Sequence, residues 1–490
     1  MLAIGLCLAA VALSTPALAD TGQSSPVASA RPRIIVLTDI GNEPDDQMSM
    51  VRLMLYANAL DIEGLVATTS TWLKNQTNPQ TIRDIVTDYG VVRPNLLLHA
   101  EGWPDAGQLL KVISVGQPGY GMAAVGTNKM SAGARAIIAA ADRPDPRPIW
   151  ISIWGGANTL AEALWHVRQT RTSSQLAQFI ARLRVYSISD QDDAGPWIRR
   201  QFPGLFYIVT PSAPDSGNYA YATWTGISGD VYYRNGGGAD GTTVTNAWLE
   251  QNIRNRGALS RHYLTYAFIM EGDTPAFLGL TDNGLDSAVS PGWGGWGGRY
   301  VLRKPFGETH AIWTQGGDEY SRVTSRDTVI GADGRTYTSD QATIWRWRSA
   351  YQNELAARMD WTIKSFKDAN HNPVAIVNGV AGTAPIYIDA MAGHPIILNA
   401  DASHDPDGQA LTFHWFYYPE AGASAGPRAD VNIAAGDSPT ATVTPSSFCR
   451  PDWSTQTKTC LGVQAHIILE VTDNGKPALT TYRRIILTLR

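Results

Sequence analysis

Residues 34–46 read IIVLTDIGNEPDD. An apolar run closes at Asp39, a loop holding Gly41, Asn42, Glu43 and Pro44 follows, and Asp45 and Asp46 stand side by side. An apolar run closed by a Gly/Asn/Pro cluster predicts a buried strand and its exit loop. Beyond it, Met48, Val51, Leu53, Met54, Leu55 and Leu60 recur at helical spacing, so a helix should begin near Asp45 and Asp46. The helix dipole and its free N–H groups favour acidic side chains there. That accounts for one or two of the carboxylates Asp39, Glu43, Asp45 and Asp46, but not for all of them. Crowded carboxylates repel one another. A hard cation such as Ca²⁺, which takes roughly six to eight oxygen ligands, offsets that repulsion. A divalent ion also acidifies water, and a nearby carboxylate can then accept the proton.

The strand–helix rhythm continues outward. IEGLVATTS (62–70), NLLLHAEG (95–102), RPIWISIWGG (147–156), RLRVYSIS (182–189) and LFYIVTPS (205–212) read as strands. The segments 78–92 and 158–170 read as helices between them. This pattern predicts an α/β fold, a mostly parallel sheet flanked by helices. Ligands of such sheets bind beyond the carboxyl ends of the strands, where Asp39, Thr69, Trp154, Ser189 and Asp190 all fall. Residues 215–345 are less regular; 259–280 is expected to be helical, as is 340–364. From about 373 onward, short strands at regular spacing predict an all-β, Ig-like sandwich over 373–490, behind an α/β domain over 33–368.

The chain has 490 residues, 44% of them hydrophobic, and a formal net charge of −5. No basic stripe runs through it, which argues against a nucleic-acid partner. Its 16 tryptophans suit flat ligands such as sugars as well as core packing. Residues 1–19, MLAIGLCLAAVALSTPALA, end on an A-x-A pattern and read as a signal peptide, so export to the periplasm or beyond is expected. The segment is short for a membrane span, and none is expected in the mature protein. Cys7 would leave with it, and residues 20–32 are expected to be a disordered lead. The two remaining cysteines, Cys449 and Cys460, are expected to pair.

The stretches IIVLTDIGNEPDD, IEGLVATTSTWLKN and ISIWGGANTLAEAL together resemble the nucleoside hydrolase superfamily. With TDIGNEPDDQMSMVR, EGDTPAFLGL and SPGWGGWGGRY the chain is more similar to an exported, nucleoside hydrolase-like branch described as cellulose-binding, with a C-terminal β-domain. The resemblance implies a Ca²⁺ site and attack of activated water on an anomeric carbon. It assigns Asp46, Asp39, Asp273 and the Trp154 carbonyl to the metal, and Asp45 and Asn75 to sugar hydroxyls. In that family the base aspartate stands closer to the paired aspartates than here, where Asp39 lies six and seven positions before Asp45 and Asp46. Asp39 is therefore the first choice for the base and Glu43 the second.

Further substrate-binding candidates are Trp72 and Asn158 at strand exits, Asp190 with Asp192 and Asp193, Glu271, and Trp293 and Trp296 in the glycine-rich loop. Each also has a structural reading: loop decoration, ion pairing or core packing. His99, His262 and His310 show no zinc spacing. Asp405 and Asp407 read as a turn. The expected function is an exported, Ca²⁺-dependent hydrolase of a glycosidic bond in a carbohydrate or glycoside. The alternatives are a non-catalytic cellulose-binding protein and a periplasmic nucleoside hydrolase.

Overall fold

The computed structural model describes residues 31–490 apart from 212–218, 235–236, 317–323, 423–427 and 451–459. The expected signal peptide and most of the expected lead lie outside the described residues. The central sheet comprises β1 (Arg33–Thr38), β2 (Asp61–Ala67), β3 (Ile113–Val115), β4 (Ile149–Ile153), β5 (Leu183–Ser187), β6 (Phe206–Val209), β7 (Val301–Arg303) and β8 (Ile312–Thr314). Its order is β3-β2-β1-β4-β5-β6-β8-β7, and every pairing is parallel except β7 with β8. The chain winds from β1 toward β3 and then returns to continue from β4. The topological switch therefore falls between β1 and β4, where a crevice opens beyond the strand ends.

β1 explains why the sheet is buried on both sides. Ile34 and Val36 enter one hydrophobic core, Ile35 and Leu37 the other, as alternation along a strand requires. The first core takes Met48, Val51, Leu53 and Met54 from α1 (Pro44–Leu55), and the second takes Leu160, Ala163 and Leu164 from the helix Asn158–Thr170.

Two sequence expectations are corrected. Residues 95–102 form no strand: the helix Pro79–Leu96 runs through Pro94 into turns, and Leu97 and Leu98 face solvent. The Asn95 side chain anchors that exit by donating to the carbonyls of Trp361 and Lys364, 2.7 Å each. Residues 259–280 are not one helix. Only the ends of that stretch are helical, in Gly257–Ser260 and Pro275–Leu278, and Glu271 between them has φ +55°, a reversal no α-helix carries.

The C-terminal region is a two-layer β-domain. One sheet has four strands, in the order Ile386–Ala390, Thr480–Leu489, Gln464–Asp473, Leu411–Tyr417. The other has Ile396–Asn399, Thr440–Arg450 and Arg428–Ala434. Leu398, Trp415, Val443, Ile467 and Ile485 fill the core between them. Cys449 and Cys460 are joined by a disulfide. Among the described residues no helix is long and apolar enough to cross a membrane.

This β-domain is fused to the helical layer by a shared core. Trp347 packs edge-on against Tyr482 and Tyr418, and Arg484 donates to the carbonyls of Leu285, Trp293 and Gly294. Arg484 also donates to Nδ1 of the buried His466 at 3.0 Å, so that nitrogen must be an unprotonated acceptor. Burial, with Arg484 second, pushes the His466 imidazole down to about 3. An unfolded histidine titrates near 6.5. The unfolded state therefore binds the extra proton between those values, and stability present above about pH 6.5 is lost as pH falls, by about 1.4 kcal/mol per unit for this one group. Urea unfolding at stepped pH checks this. His466→Gln should flatten the acid slope, and an unchanged slope would contradict the assignment.

Candidate functional site

Thr38 ends β1, and its hydroxyl both accepts from the Ile40 N–H at 3.1 Å and donates to Asp46. That pair closes the loop onto the first turn of α1. Pro44 occupies the helix start, where a missing N–H costs nothing, and places Asp45 and Asp46 in the first turn. Gly41 has φ +107°, and a Cβ there would lie 2.3 Å from Asn78 Nδ2, so only glycine lets the extended loop lie against the second helix.

Asp39 follows β1 and accepts from the Ser70 hydroxyl, which in turn accepts the N–H groups of Trp72 and Leu73. It lies directly on the Gly155 turn after β4: a Cβ on Gly155 would be 2.6 Å from Asp39 Oδ1. Asp273 arrives from the distant EGDTPAF segment. It brings one oxygen to a cluster with Asp45 and Asp46 in which the ligand atoms all lie within 4.8 Å of one another. Asp273 Oδ2 is buried with no hydrogen-bond partner. The donor set is all oxygen, which is the chemistry of a hard divalent cation.

These groups line a cavity of about 290 Å³ at the switch point, with Asp39, Glu43, Asp45, Asp46 and Asp273 on its polar side. Burial raises all four aspartates. Asp39 is pushed up to about 7 by burial, opposed by the Ser70 hydroxyl, with Glu43 raising it further. Asp45, which keeps partial solvent contact, is pushed up to about 8 by burial and then by Glu43 and Asp39. Asp46 and Asp273 are held well above the ordinary range by burial and by their carboxylate neighbours. The cluster thus stores electrostatic repulsion at neutral pH that a cation would relieve.

The Trp154 carbonyl, at the end of β4, accepts from Gln191 Nε2 at 2.5 Å, and Trp154 lines the cavity. Trp72 stands at the rim, 46% exposed. Sequence reasoning therefore brought Asp39, Glu43, Asp45, Asp46, Trp72, Trp154 and Asp273 to one place.

Other candidates lie elsewhere. Asp190 is clamped by the buried Arg199 through two 2.7 Å bonds, a guanidinium that also holds Glu308. Glu271 is fully buried against Arg52. Asn158 is fully buried and ties Thr69 to the Gly119 carbonyl. Trp296 packs on Tyr351 and Tyr482, and Trp293 lies beneath Arg484 and beside His466 at the β-domain seam. Asn75 is exposed and does not line the cavity. Asp192 caps backbone N–H groups of Asn158 and Ala194.

Sequence reasoning missed Gln191, Tyr219, Trp224, Tyr232, Tyr233 and Phe268, which with Ile188 and Ile269 complete the wall. The aromatic members fall in a stretch without periodicity, and Gln191 sits unremarked among acids.

Residues 33–300 match the family described as cellulose-binding Sde182, nucleoside hydrolase-like domain, and residues 395–489 match the C-terminal domain of cellulose-binding protein Sde0182. A solved structure from Saccharophagus degradans is 36% identical over 94% of this chain and 100% of its own, with a TM-score of 0.76. It is described as a nucleoside hydrolase-related hypothetical protein associated with carbohydrate metabolism. The effector protein XOO4466 aligns over 69% of this chain and 95% of its own at 11% identity, with a TM-score of only 0.31. A mouse protocadherin fragment, PcdhgC3 EC1-3, aligns over 24% of this chain and 34% of its own at 15% identity and a TM-score of 0.15. No curated protein matches the chain.

Proposed function

Because the chain belongs to the cellulose-binding Sde182 family of nucleoside hydrolase-like proteins, we propose that it is an exported, Ca²⁺-dependent hydrolase of a glycosidic bond in a carbohydrate or small glycoside. The observation that carries this reading is the convergence of Asp45, Asp46 and Asp273, with the unpartnered Asp273 Oδ2, in an aromatic-walled cavity. Asp46 and Asp273 would hold the cation from opposite segments, with an oxygen of Asp45 beside them. When bound, the ion neutralises the cluster and acidifies water at the site. Asp45, at the more open side, would accept hydrogen bonds from sugar hydroxyls.

Asp39 lies in the same cavity but outside the three-carboxylate cluster. Ser70 fixes one of its oxygens, and the other lies over Gly155, so its orientation is set before any substrate arrives. It is the general base of this reading, removing a proton from the water that attacks the anomeric carbon. Glu43, half-buried at the loop tip, is the second candidate. The same separation of Asp39 from the cluster favours one other reading, a saccharide-binding protein that does not turn over.

The test incubates the full chain with cello-oligosaccharides and a nucleoside panel, with Ca²⁺ or with EDTA, and measures released reducing sugar. Ca²⁺-dependent release is expected, with Asp39→Asn lowering turnover by roughly 10²–10⁴-fold. Full turnover in that variant moves the base role to Glu43. Saccharide binding without release in the parent protein supports the non-catalytic reading instead.

A further inference from the structure

The mouth of the cavity differs in chemistry from its floor. Trp72, Tyr232 and Phe268 are 46%, 43% and 49% exposed, whereas Trp154 and Trp224 on the same cavity are nearly fully buried. Exposed aromatic rings concentrated on one rim are a poor use of apolar surface unless a ligand covers them. The rings are also held rigid. Tyr232 packs edge-on against both Tyr233, at 4.9 Å, and Phe268, at 5.7 Å, and the Trp72 backbone N–H donates to the Ser70 hydroxyl at 2.9 Å. A rigid ring pays little entropy on binding and offers its face to the axial C–H groups of a pyranose.

Charge narrows the ligand further. The residues lining the cavity include five carboxyl groups and no lysine, arginine or histidine. One bound divalent ion offsets at most two of those five charges, so a phosphate or uronate would still enter against negative charge with no cationic side chain to receive it. The size of the cavity, about 290 Å³, is at the lower end for ligand pockets, so it suits a single ring, and whatever is joined to that ring must lie on the rim.

We propose that Trp72, Tyr232 and Phe268 form a second saccharide subsite outside the carboxylate cavity, which makes the protein select a neutral chain end of two or more sugar units over a monosaccharide or an acidic glycan. This rests on the reading that the cavity itself takes a sugar. The rim holds the unit next to the terminal one and so sets the length dependence of binding.

Calorimetric titration of the full chain in Ca²⁺ with glucose, cellobiose, cellotetraose and tetragalacturonate tests it. The expected result is at least tenfold tighter binding of cellotetraose than of glucose, and no measurable binding of tetragalacturonate. Trp72→Ala and Phe268→Ala, both at exposed positions, should lose most of the gain with length while keeping the parent melting temperature. Equal affinity for glucose and cellotetraose, tetragalacturonate binding as tight as cellotetraose, or an unaltered length dependence in both variants would overturn the subsite. The outcome is separable from catalysis. Length-dependent binding without sugar release leaves the subsite standing and removes the hydrolase reading, and Ca²⁺-dependent release without length dependence does the reverse.

Discussion

Asp46→Asn is expected to abolish Ca²⁺ binding and, at the same time, to make the cation-free protein more stable than its parent. The two effects share one cause. Asp46 is buried beside Asp39 and Asp45, and its carboxyl is held well above the ordinary range by burial and by those neighbours. An asparagine keeps the shape and still accepts the Thr38 hydroxyl, but it carries no charge to repel the others. In EDTA the parent carries the unrelieved cluster and the variant carries less of it, so the variant melts higher. In Ca²⁺ the order reverses. A ligand present at about a hundred times its Kd stabilises the folded state by about 2.7 kcal/mol, and the variant forgoes that gain. Thermal melts of both proteins in both conditions read the crossing. A variant less stable than the parent in EDTA would mean that Asp46 serves packing rather than a cation.

Glu271→Ala is expected to cost about 3–5 kcal/mol of stability, because it breaks a buried ion pair behind the site. Arg52 and Glu271 are both fully buried, with Nε 2.5 Å from the carboxylate. Arg52 also donates to the Tyr351 carbonyl at 2.9 Å and to Gln352 Oε1, while Tyr263 and Thr274 donate to Glu271. Truncating the glutamate strands a buried guanidinium without its counter-charge. Glu271 also sits two residues before Asp273, in the reversal with φ +55°, so the lost pair should loosen Asp273 and weaken Ca²⁺ binding. Arg52→Met combined with Glu271→Leu should recover much of the stability, because no charge is then left buried. A Glu271→Ala cost below about 1 kcal/mol in urea unfolding would be the contrary result.

The legible part of the molecule is the part in which sequence neighbours are also structural neighbours. The strand Arg33–Thr38, its loop and α1 are contiguous, so Asp39, Glu43, Asp45 and Asp46 were placed together by local pattern alone. Trp154 followed because parallel strands end on a common edge. Asp273 rested on family resemblance, since nothing local joins it to Asp46. Asp190 and Asn158 satisfied the same edge rule and still lie outside the cavity, because tertiary partners decide what a strand-end residue does. Arg199 captures Asp190, and Thr69 with the Gly119 carbonyl captures Asn158. Trp293 and Trp296 sat in a loop whose glycines suggested a ligand, but the β-domain covers them. The aromatic rim apart from Trp72 escaped for the opposite reason. Tyr232 and Phe268 lie in short, irregular segments where no period marks a face.

The central claim is that Asp45, Asp46 and Asp273 form a cation site. Calorimetric titration of Ca²⁺ into the EDTA-treated, dialysed full chain tests it most directly. One ion per chain is predicted, with binding lost in Asp46→Asn and in Asp273→Asn. No heat of binding in the parent, or stoichiometric binding retained in both variants, would contradict it.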